Sequence, residues 1–293
     1  MFATLREPAV QFAILGSVEA AIEGRTVPVG PPKRRLLLAL LLHECGRPVA
    51  MDRLVEHIWG SRPPPSARQV VFSHVSRLRK ALADGNRSVE LAGVPAGYLL
   101  RVDPDCVDVH VFRRKVAAAR AVKEPAARSD AFRAALALWR GPALENLATD
   151  GGAERLSHSL EELRLDAIEA RIDADLALGR HAGVVGELAL LVADHPLRER
   201  LVEQYIVALY RCGGPARALA AYHQGRAVLR EALGLDPGPS LTALHDAILR
   251  RDPSLAWTPS SADRPAPAAV SGRGPARLPL IEARRARRRG GRR

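Results

Sequence analysis

Apolar residues in the stretch 66–82 repeat with the period of a helix. They recur four, three and four positions apart, as Val71, Val75, Leu78 and Leu82. This spacing places them on one face that can be buried. At about 100° per residue, the opposite side carries Gln69, Val70, Ser73, Ser76, Arg77 and Lys80. The pattern predicts an amphipathic helix over Ser66–Leu82 with a buried stripe and a basic, hydrogen-bonding face.

Shorter elements flank this helix on both sides. Two helices precede it, the first from Pro32 to Gly46 and the second over Asp52–Trp59. Apolar and β-branched segments bounded by Gly and Pro predict strands before and after the helices, within Phe12–Ile22, Thr26–Val29, Ser88–Leu91 and Tyr98–Val102. Strands, three helices and a C-terminal hairpin in this order predict a winged helix-turn-helix.

Residues 109–249 are rich in Ala, Leu and Arg, with helical periodicity interrupted by Gly or Pro. The predicted helices lie near 109–123, 128–139, 153–178, 181–194, 197–212, 215–231 and 240–250. Their pairing resembles tetratricopeptide repeats, without a strict 34-residue period. Such helix pairs bind other proteins or dimerise, and a simple helical bundle without a partner is the alternative. The predicted fold class is mainly α with small β-sheets, an N-terminal winged helix-turn-helix followed by an all-α tetratricopeptide-like domain.

Composition divides the chain into three parts: a winged helix over 1–103, a helical domain over 104–258 and a tail over 259–293. The tail is rich in Pro, Ala, Gly and Arg, which predicts disorder. It holds ten Arg against two acidic residues, so +8 of the formal charge of +12 lies there. The tail either adds non-specific phosphate contacts or is a solubilising extension. Local charge is therefore better evidence for nucleic-acid binding than net charge.

Local charge around the amphipathic helix points to DNA. From Ser61 to Ala83 there are five Lys or Arg and no Asp or Glu. Such a helix fits the major groove, where Arg bonds guanine edges and basic flanks hold phosphates. The alternative is an ordinary surface helix with a solvated basic face.

Sequence features also bear on the compartment. No apolar run is long enough to cross a membrane, and the N-terminus lacks the basic start and apolar core of a secretory signal. Cys45, Cys106 and Cys212 are few and widely separated, which is typical of buried thiols in a reducing cytosol. We therefore expect a cytoplasmic protein.

Enzymatic chemistry finds no support in the sequence. The nine His lack metal-ligand spacing, and no Gly-rich nucleotide-binding motif occurs. Ser73 and His74 are adjacent on a helix and point in different directions, so they do not form a catalytic pair. We therefore expect that the protein is not an enzyme and that it binds neither a cofactor nor a metal ion. Charged residues of 153–178 are predicted to form the solvated face of a long helix: Glu161, Glu162, Arg164, Asp166, Arg171, Asp173 and Asp175.

The order of these segments resembles a known family, the Streptomyces antibiotic regulatory proteins, in which an OmpR/PhoB-type winged helix is joined to a bacterial transcriptional activator domain. The resemblance lies in FAILGSVEA, GPPKRRLLLALLL, MDRLVEHIWG, ARQVVFSHVSRLRKAL and AGYLLRVDPDCVDVHVF, then in LALWRGPAL, HPLRERLVEQYIVALYRCGGPARALAAYHQGR and LGLDPGPSLTALH. It covers residues 11–250, and two domains match in order and spacing.

The resemblance implies a transcriptional activator of secondary-metabolite (antibiotic) gene clusters. Such activators bind promoter direct repeats in double-stranded DNA as two protomers side by side, and recruit RNA polymerase through its sigma factor. A tetratricopeptide-like adaptor, whose winged helix serves protein contacts, and a ligand-responsive repressor are the alternatives.

The resemblance also assigns roles to residues. Arg77 matches the arginine that reads a base, and Arg79 and Lys80 match a phosphate-contacting pair. Val70 and Ser73 stand where relatives vary, which would shape site preference, and Trp59 matches a core aromatic. The predicted DNA-binding residues are Arg68, Gln69, Val70, Ser73, His74, Ser76, Arg77, Arg79 and Lys80.

The wing departs from the family pattern. Many relatives carry Arg before the turn that leads into the Gly-Tyr pair, here Gly97 and Tyr98. This chain has Val94 there and no Arg between Ser88 and Leu100. The resemblance therefore predicts the shape of the wing but not a minor-groove contact.

Overall fold

The structure, a computed structural model, describes residues 10–82, 89–147 and 151–258. Two predictions fall outside the described residues: the disorder of the Arg-rich tail 259–293, and the start of a strand at Ser88. No helix in the described part of the chain is long and apolar enough to cross a membrane.

In the described residues up to Arg101, two small antiparallel sheets lie around three helices. The elements are β1 Val10–Ala13, β2 Glu19–Ile22, β3 Arg25–Thr26, α1 Pro32–His43, β4 Val49–Ala50, α2 Met51–Trp59, α3 Ala67–Leu82, β5 Glu90–Val94 and β6 Gly97–Arg101. One sheet has the order β1-β2-β3 and the other β4-β6-β5. This is the predicted winged helix-turn-helix. The strand predicted over Thr26–Val29 is confirmed only in part: β3 covers Arg25–Thr26, and beyond it the Val27 amide donates one more hydrogen bond to the Ala20 carbonyl oxygen of β2, at 2.8 Å.

The unpredicted strand β4 holds the wing hairpin against the helices. It has two residues, Val49 and Ala50, which pair with Tyr98 and Gly97 of β6. A Cβ atom on Gly97 would lie 2.0 Å from the Val49 carbonyl oxygen, so only glycine allows this approach. Tyr98 is buried. The pair therefore has the shape-keeping role that the sequence predicted for it.

The described residues that follow the wing form seven helices, most of them joined by short turns. They are α4 Asp108–Ala121, α5 Pro125–Leu136, α6 Gly151–Ala177, α7 His181–Asp194, α8 Glu199–Arg211, α9 Pro215–Leu233 and α10 Pro239–Leu249, with 3-10 turns at Pro104–Cys106 and Pro253–Leu255. All seven predicted helices are confirmed within a few residues. Helix α5 is shifted three residues toward the N-terminus relative to the prediction. Its earlier start follows from Glu124, whose carboxylate accepts hydrogen bonds from the amides of Ala126 and Ala127 and so caps the helix at Pro125.

One hydrophobic core joins the winged helix to the first helices of the second half. It includes Phe12 and Leu37 from the former and Phe112 and Phe132 from the latter. The remaining helices enclose two smaller clusters, one centred on Ile206 of α8 and one between α6, α7 and α8. The fold class is therefore as predicted, and its two halves share a core.

Polar contacts reinforce this junction. The Asp108 carboxylate accepts hydrogen bonds from the backbone amides of Ile14 and Leu15, at 2.9–3.0 Å. Helix α6 meets α2 so closely that a Cβ atom on Gly152 would lie 1.1 Å from the His57 carbonyl oxygen. The orientation of the winged helix relative to α4 and α6 is thus fixed by backbone-level contacts.

Two predictions about side-chain burial were wrong. Asp175 and Arg171, predicted on a solvated face, are buried, with 0% and 5% exposure. The thiols predicted to be buried are more accessible: Cys45 and Cys106 are half-buried and Cys212 is exposed. Helical periodicity predicted the wrong exposure for Asp175, because α5 packs over that side of α6 and the sequence of α6 alone does not show which element covers it.

A neutral histidine links α1 to α4. The Arg113 guanidinium donates a hydrogen bond to Nε2 of His43 at 2.7 Å, which requires that nitrogen to be unprotonated. Burial, and then the charge of Arg113, lower the pKa of His43 to about 4. Glu44 raises it, while His110 and His57 lower it further. Protonation of His43 therefore opposes the contact between the two halves.

Stability is expected to fall as pH drops from about 6.5 to about 4. In this window the unfolded chain takes up a proton on His43 that the folded chain resists. Urea unfolding at a series of pH values measures the effect. His43→Gln keeps an acceptor for Arg113 and does not titrate, so it should flatten the dependence. His57, whose pKa burial also lowers, keeps part of the slope. The exposed His223→Gln is the control, and equal slopes in all three proteins would contradict the prediction.

Candidate DNA-binding surface

Helix α3 is held by its apolar stripe, as its sequence predicts. Val71, Val75, Leu78 and Leu82 are buried, together with Ala67. Helix α2 contributes Leu54 and Ile58 to the same core. Trp59, predicted as a core aromatic, is half-buried at the edge of this core, with the Lys33 ammonium 5.2 Å from the ring centroid. Burial of one stripe leaves the opposite side of α3 facing solvent.

The outward face of α3 presents most of the predicted DNA-binding residues. Exposed side chains are Arg68, Gln69, Ser73, Ser76, Arg77, Arg79 and Lys80, while Val70 and His74 are half-buried. Arg77 forms no ion pair with any residue in the described ranges, in contrast to Arg68. An unpaired guanidinium on a helix face with donors and hydroxyls beside it suits bidentate recognition of a base.

One flank of α3 lies against the N-terminal end of α1. There the charge of Arg34 lies near Arg77 and His74, and burial followed by these neighbours lowers the pKa of His74. Arg34 is 91% buried: only 9% of its surface is exposed. Arg34 and Lys33 were not among the predicted DNA-binding residues, although the basic run KRR after two prolines indicated positive charge there. This flank carries concentrated positive charge that disfavours protonation of His74.

The other flank of α3 is tied to the wing side of the domain. Arg68 pairs with the exposed carboxylate of Asp52 in α2. Nε of Arg79 donates a hydrogen bond to the Leu91 carbonyl oxygen at 2.8 Å, and its guanidinium lies 5.8 Å from the Tyr98 ring centroid. Both arginines therefore connect α3 to neighbouring elements, a role their charge alone did not indicate.

Replacing Arg79 with alanine is expected to destabilise the domain by about 1 kcal/mol, because the bond from α3 to the wing is lost. Arg79→Lys keeps the charge but cannot reproduce the Nε bond, so it should restore less than half of the loss. Urea unfolding at pH 7 measures both, with the exposed Lys80→Ala as a control on the same helix. Full rescue by lysine would mean that Arg79 acts through charge alone.

The wing is an apolar-tipped hairpin. In strands β5 and β6, Glu90 pairs with Arg101 at one end and Val94 pairs with Gly97 at the other. The turn between the strands consists of Pro95 and Ala96, both exposed. Arg101 at its base pairs with Glu90. No cation therefore stands at the tip, in agreement with the departure noted in the sequence.

Family models match both halves of the chain. Residues 24–100 match the C-terminal domain of transcriptional regulatory proteins, and residues 107–249 match the bacterial transcriptional activator domain.

Known regulatory proteins are similar in sequence over most of this chain. The regulatory protein DnrI of Streptomyces peucetius is 36% identical over 258 residues, which is 84% of this chain and 94% of DnrI. AfsR of Streptomyces coelicolor is 38% identical over 92% of this chain and 27% of AfsR. EmbR of Mycobacterium tuberculosis is 38% identical over 84% of this chain and 65% of EmbR. The chain thus spans about two thirds of EmbR and about a quarter of AfsR.

A solved structure has the same fold. EmbR of Mycobacterium tuberculosis, in complex with a low-affinity phosphopeptide, aligns with a TM-score of 0.75 at 38% identity, over 84% of this chain and 66% of that chain. A winged helix of the transcriptional-regulator type, joined to an activator-type helical domain, defines a class of DNA-binding transcriptional regulators. Within that class, the chain belongs to the Streptomyces antibiotic regulatory protein family. The family comprises regulators rather than enzymes.

Proposed function

We propose that this protein is a cytoplasmic, sequence-specific transcriptional activator that binds direct repeats in promoter DNA as two protomers side by side. It recruits RNA polymerase through the sigma factor and switches on a secondary-metabolite gene cluster. The observation that carries the proposal is the outward face of α3, where Arg77 is exposed without an ion-pair partner among the described residues. Membership in a family of transcriptional regulators supports it.

The proposed roles follow the placement of the side chains. Arg77 reads a guanine edge in the major groove, and Gln69, Ser73 and Ser76 bond neighbouring bases or phosphates. Lys80 holds a phosphate. Arg68 and Arg79, which are bonded to Asp52 and to the wing, donate their remaining N–H groups to DNA phosphates and so fix the angle of α3 relative to the DNA.

The proposed division of labour follows the predicted boundaries. Residues 1–103 bind DNA, and residues 104–258 provide the contacts for dimerisation and for polymerase. The shared core supports a fixed geometry between the two, since α3 is then held at a constant position relative to the helical domain.

DNA selection from a random library with the full chain tests the proposal. We expect enriched sites that contain two repeats in the same orientation, bound with an affinity that falls steeply with salt. Absence of DNA binding at low salt would favour the adaptor alternative. A reporter from the selected promoter, measured with and without the gene, separates activator from repressor, because loss of an activator lowers transcription.

A further inference from the structure

Helix α3, which is proposed to contact the bases, carries one exposed aromatic side chain, Phe72. Phe72 has 52% of its surface exposed, and the other large exposed apolar side chains of the described residues all belong to the helical half: Leu190, Leu197, Leu233, Leu235 and Leu249. A single exposed apolar residue is ordinary on a protein surface. Phe72 differs because it lies beside a second apolar feature, the tip of the wing.

The ring borders a groove between α3 and the wing, about 320 Å³ in volume, whose apolar walls are Phe72, Val94 and Pro95. Arg68 and Asp52 also line the groove, and they neutralise each other as an ion pair. Phe72 thus shares one groove with the apolar side chains Val94 and Pro95 of the wing, and the two charged side chains that line this groove are paired with each other.

The position of Phe72 on the helix directs it to the edge of the reading face. Arg68 and Arg79, four residues before and seven residues after Phe72, lie on the same flank of the helix. Arg68 pairs with Asp52 and Arg79 donates a hydrogen bond to the Leu91 carbonyl oxygen, whereas Phe72 between them is exposed. On its other side Phe72 is next to Ser76 and Gln69, which lie on the face proposed to enter the major groove. A base at the wing-side margin of the bound site would therefore meet the ring.

We propose that Phe72 contacts the C5-methyl group of a thymine at the wing-side edge of each half-site and so sets base preference there. The inference rests on the proposed function. The thymine methyl is the apolar group that bases display in the major groove, and an apolar side chain is its natural partner. Deoxyribose is the other apolar surface of DNA, and the experiment separates the two.

Replacement of thymine by deoxyuridine removes only the methyl group. Starting from the selected site, each dT is replaced in turn and the Kd is measured for the wild type, Phe72→Ala, Phe72→Leu and the remote control Leu190→Ala. At one position in each repeat we expect deoxyuridine to raise the Kd of the wild type about fourfold, which corresponds to the free energy of burying one methyl group. The deoxyuridine ratio is this Kd divided by the Kd for the site with thymine. The ratio should fall to about one in Phe72→Ala, be partly kept in Phe72→Leu, and stay unchanged in Leu190→Ala.

Each other outcome overturns the inference. Equal deoxyuridine ratios in the wild type and Phe72→Ala would exclude a methyl contact. A uniform loss of affinity in Phe72→Ala on every sequence would assign the ring to deoxyribose instead. Unchanged DNA binding combined with lost activation in a transcription assay would assign it to a protein partner. In these three cases specific DNA binding by the wild type persists, so the proposed function stands, whereas failure of the wild type to bind DNA overturns both. Circular dichroism of Phe72→Ala verifies folding.

Discussion

Replacing Asp175 with alanine is expected to destabilise the protein by about 3–5 kcal/mol, the cost of breaking a buried charge network. Asp175 is fully buried. Its carboxylate accepts hydrogen bonds from Ser129 at 2.8 Å and Arg133 at 2.8 Å, both of α5, and from Arg171 at 2.9 Å and Arg180 at 3.2 Å. Its removal leaves Arg171, itself 5% exposed, without that counter-charge inside the helical domain.

Urea or thermal unfolding at pH 7 measures this effect. Asp236→Ala is the matched control, because Asp236 also bridges two arginines, Arg226 and Arg230, but at an exposed site. Surface pairs of that kind contribute about 0–1 kcal/mol. Equal losses in the two variants would mean that burial adds nothing to the Asp175 network.

The same carboxylate gives a pH dependence with a defined sign. Burial alone would raise the pKa of Asp175, but hydrogen bonds from Ser129 and Arg133 lower it below its ordinary value. The stabilisation it supplies is therefore complete above about pH 4, the pKa of an unfolded aspartate, and is lost as pH falls below that. Asp175→Asn should reduce this acid sensitivity relative to the wild type.

Replacing Arg77 with alanine is expected to weaken binding at a selected site by about 1–3 kcal/mol, or about five- to 150-fold, and to relax the preference at one base. The expectation follows from its guanidinium, which is exposed on the outward face of α3 and forms no ion pair within residues 10–82, 89–147 and 151–258. Competition binding with the selected site and single-base variants measures both effects. Arg217→Ala, an exposed arginine on α9, has the same change in charge and should leave affinity nearly unchanged. An unaltered footprint and affinity in Arg77→Ala would remove Arg77 from the reading role.

The predicted elements correspond closely to the observed ones where the signal is local. Helical spacing located α3 to within one residue, and Gly and Pro marked the ends of most helices. Strand β4 was not predicted, because two residues carry no periodicity and their partners in β6 lie 49 and 47 positions further along the chain. The predicted extension of β3 failed because strand length depends on a neighbour rather than on β propensity.

The candidate site divides in the same way. The outward set that contains Gln69, Ser73 and Arg77 follows from the angle per residue, because the buried stripe of α3 fixes the opposite face. The environment of Arg79 and His74 cannot be predicted from that angle, because the residues that surround them lie on the wing and on α1. Phe72 occupies a flank, where periodicity cannot distinguish a packed side chain from an exposed one.

The sequence by itself determined which segments are helices, their order, and the chemistry of the face that α3 turns outward, because these depend on spacing along the chain. Tertiary structure alone decided which charges are buried and which side chains remain free. Asp175 became the centre of a buried network because α5 covers α6, and Arg68 and Arg79 became links to Asp52 and the wing because those elements lie within hydrogen-bonding distance. Burial and partnership depend on what packs against a residue, which the local pattern does not record.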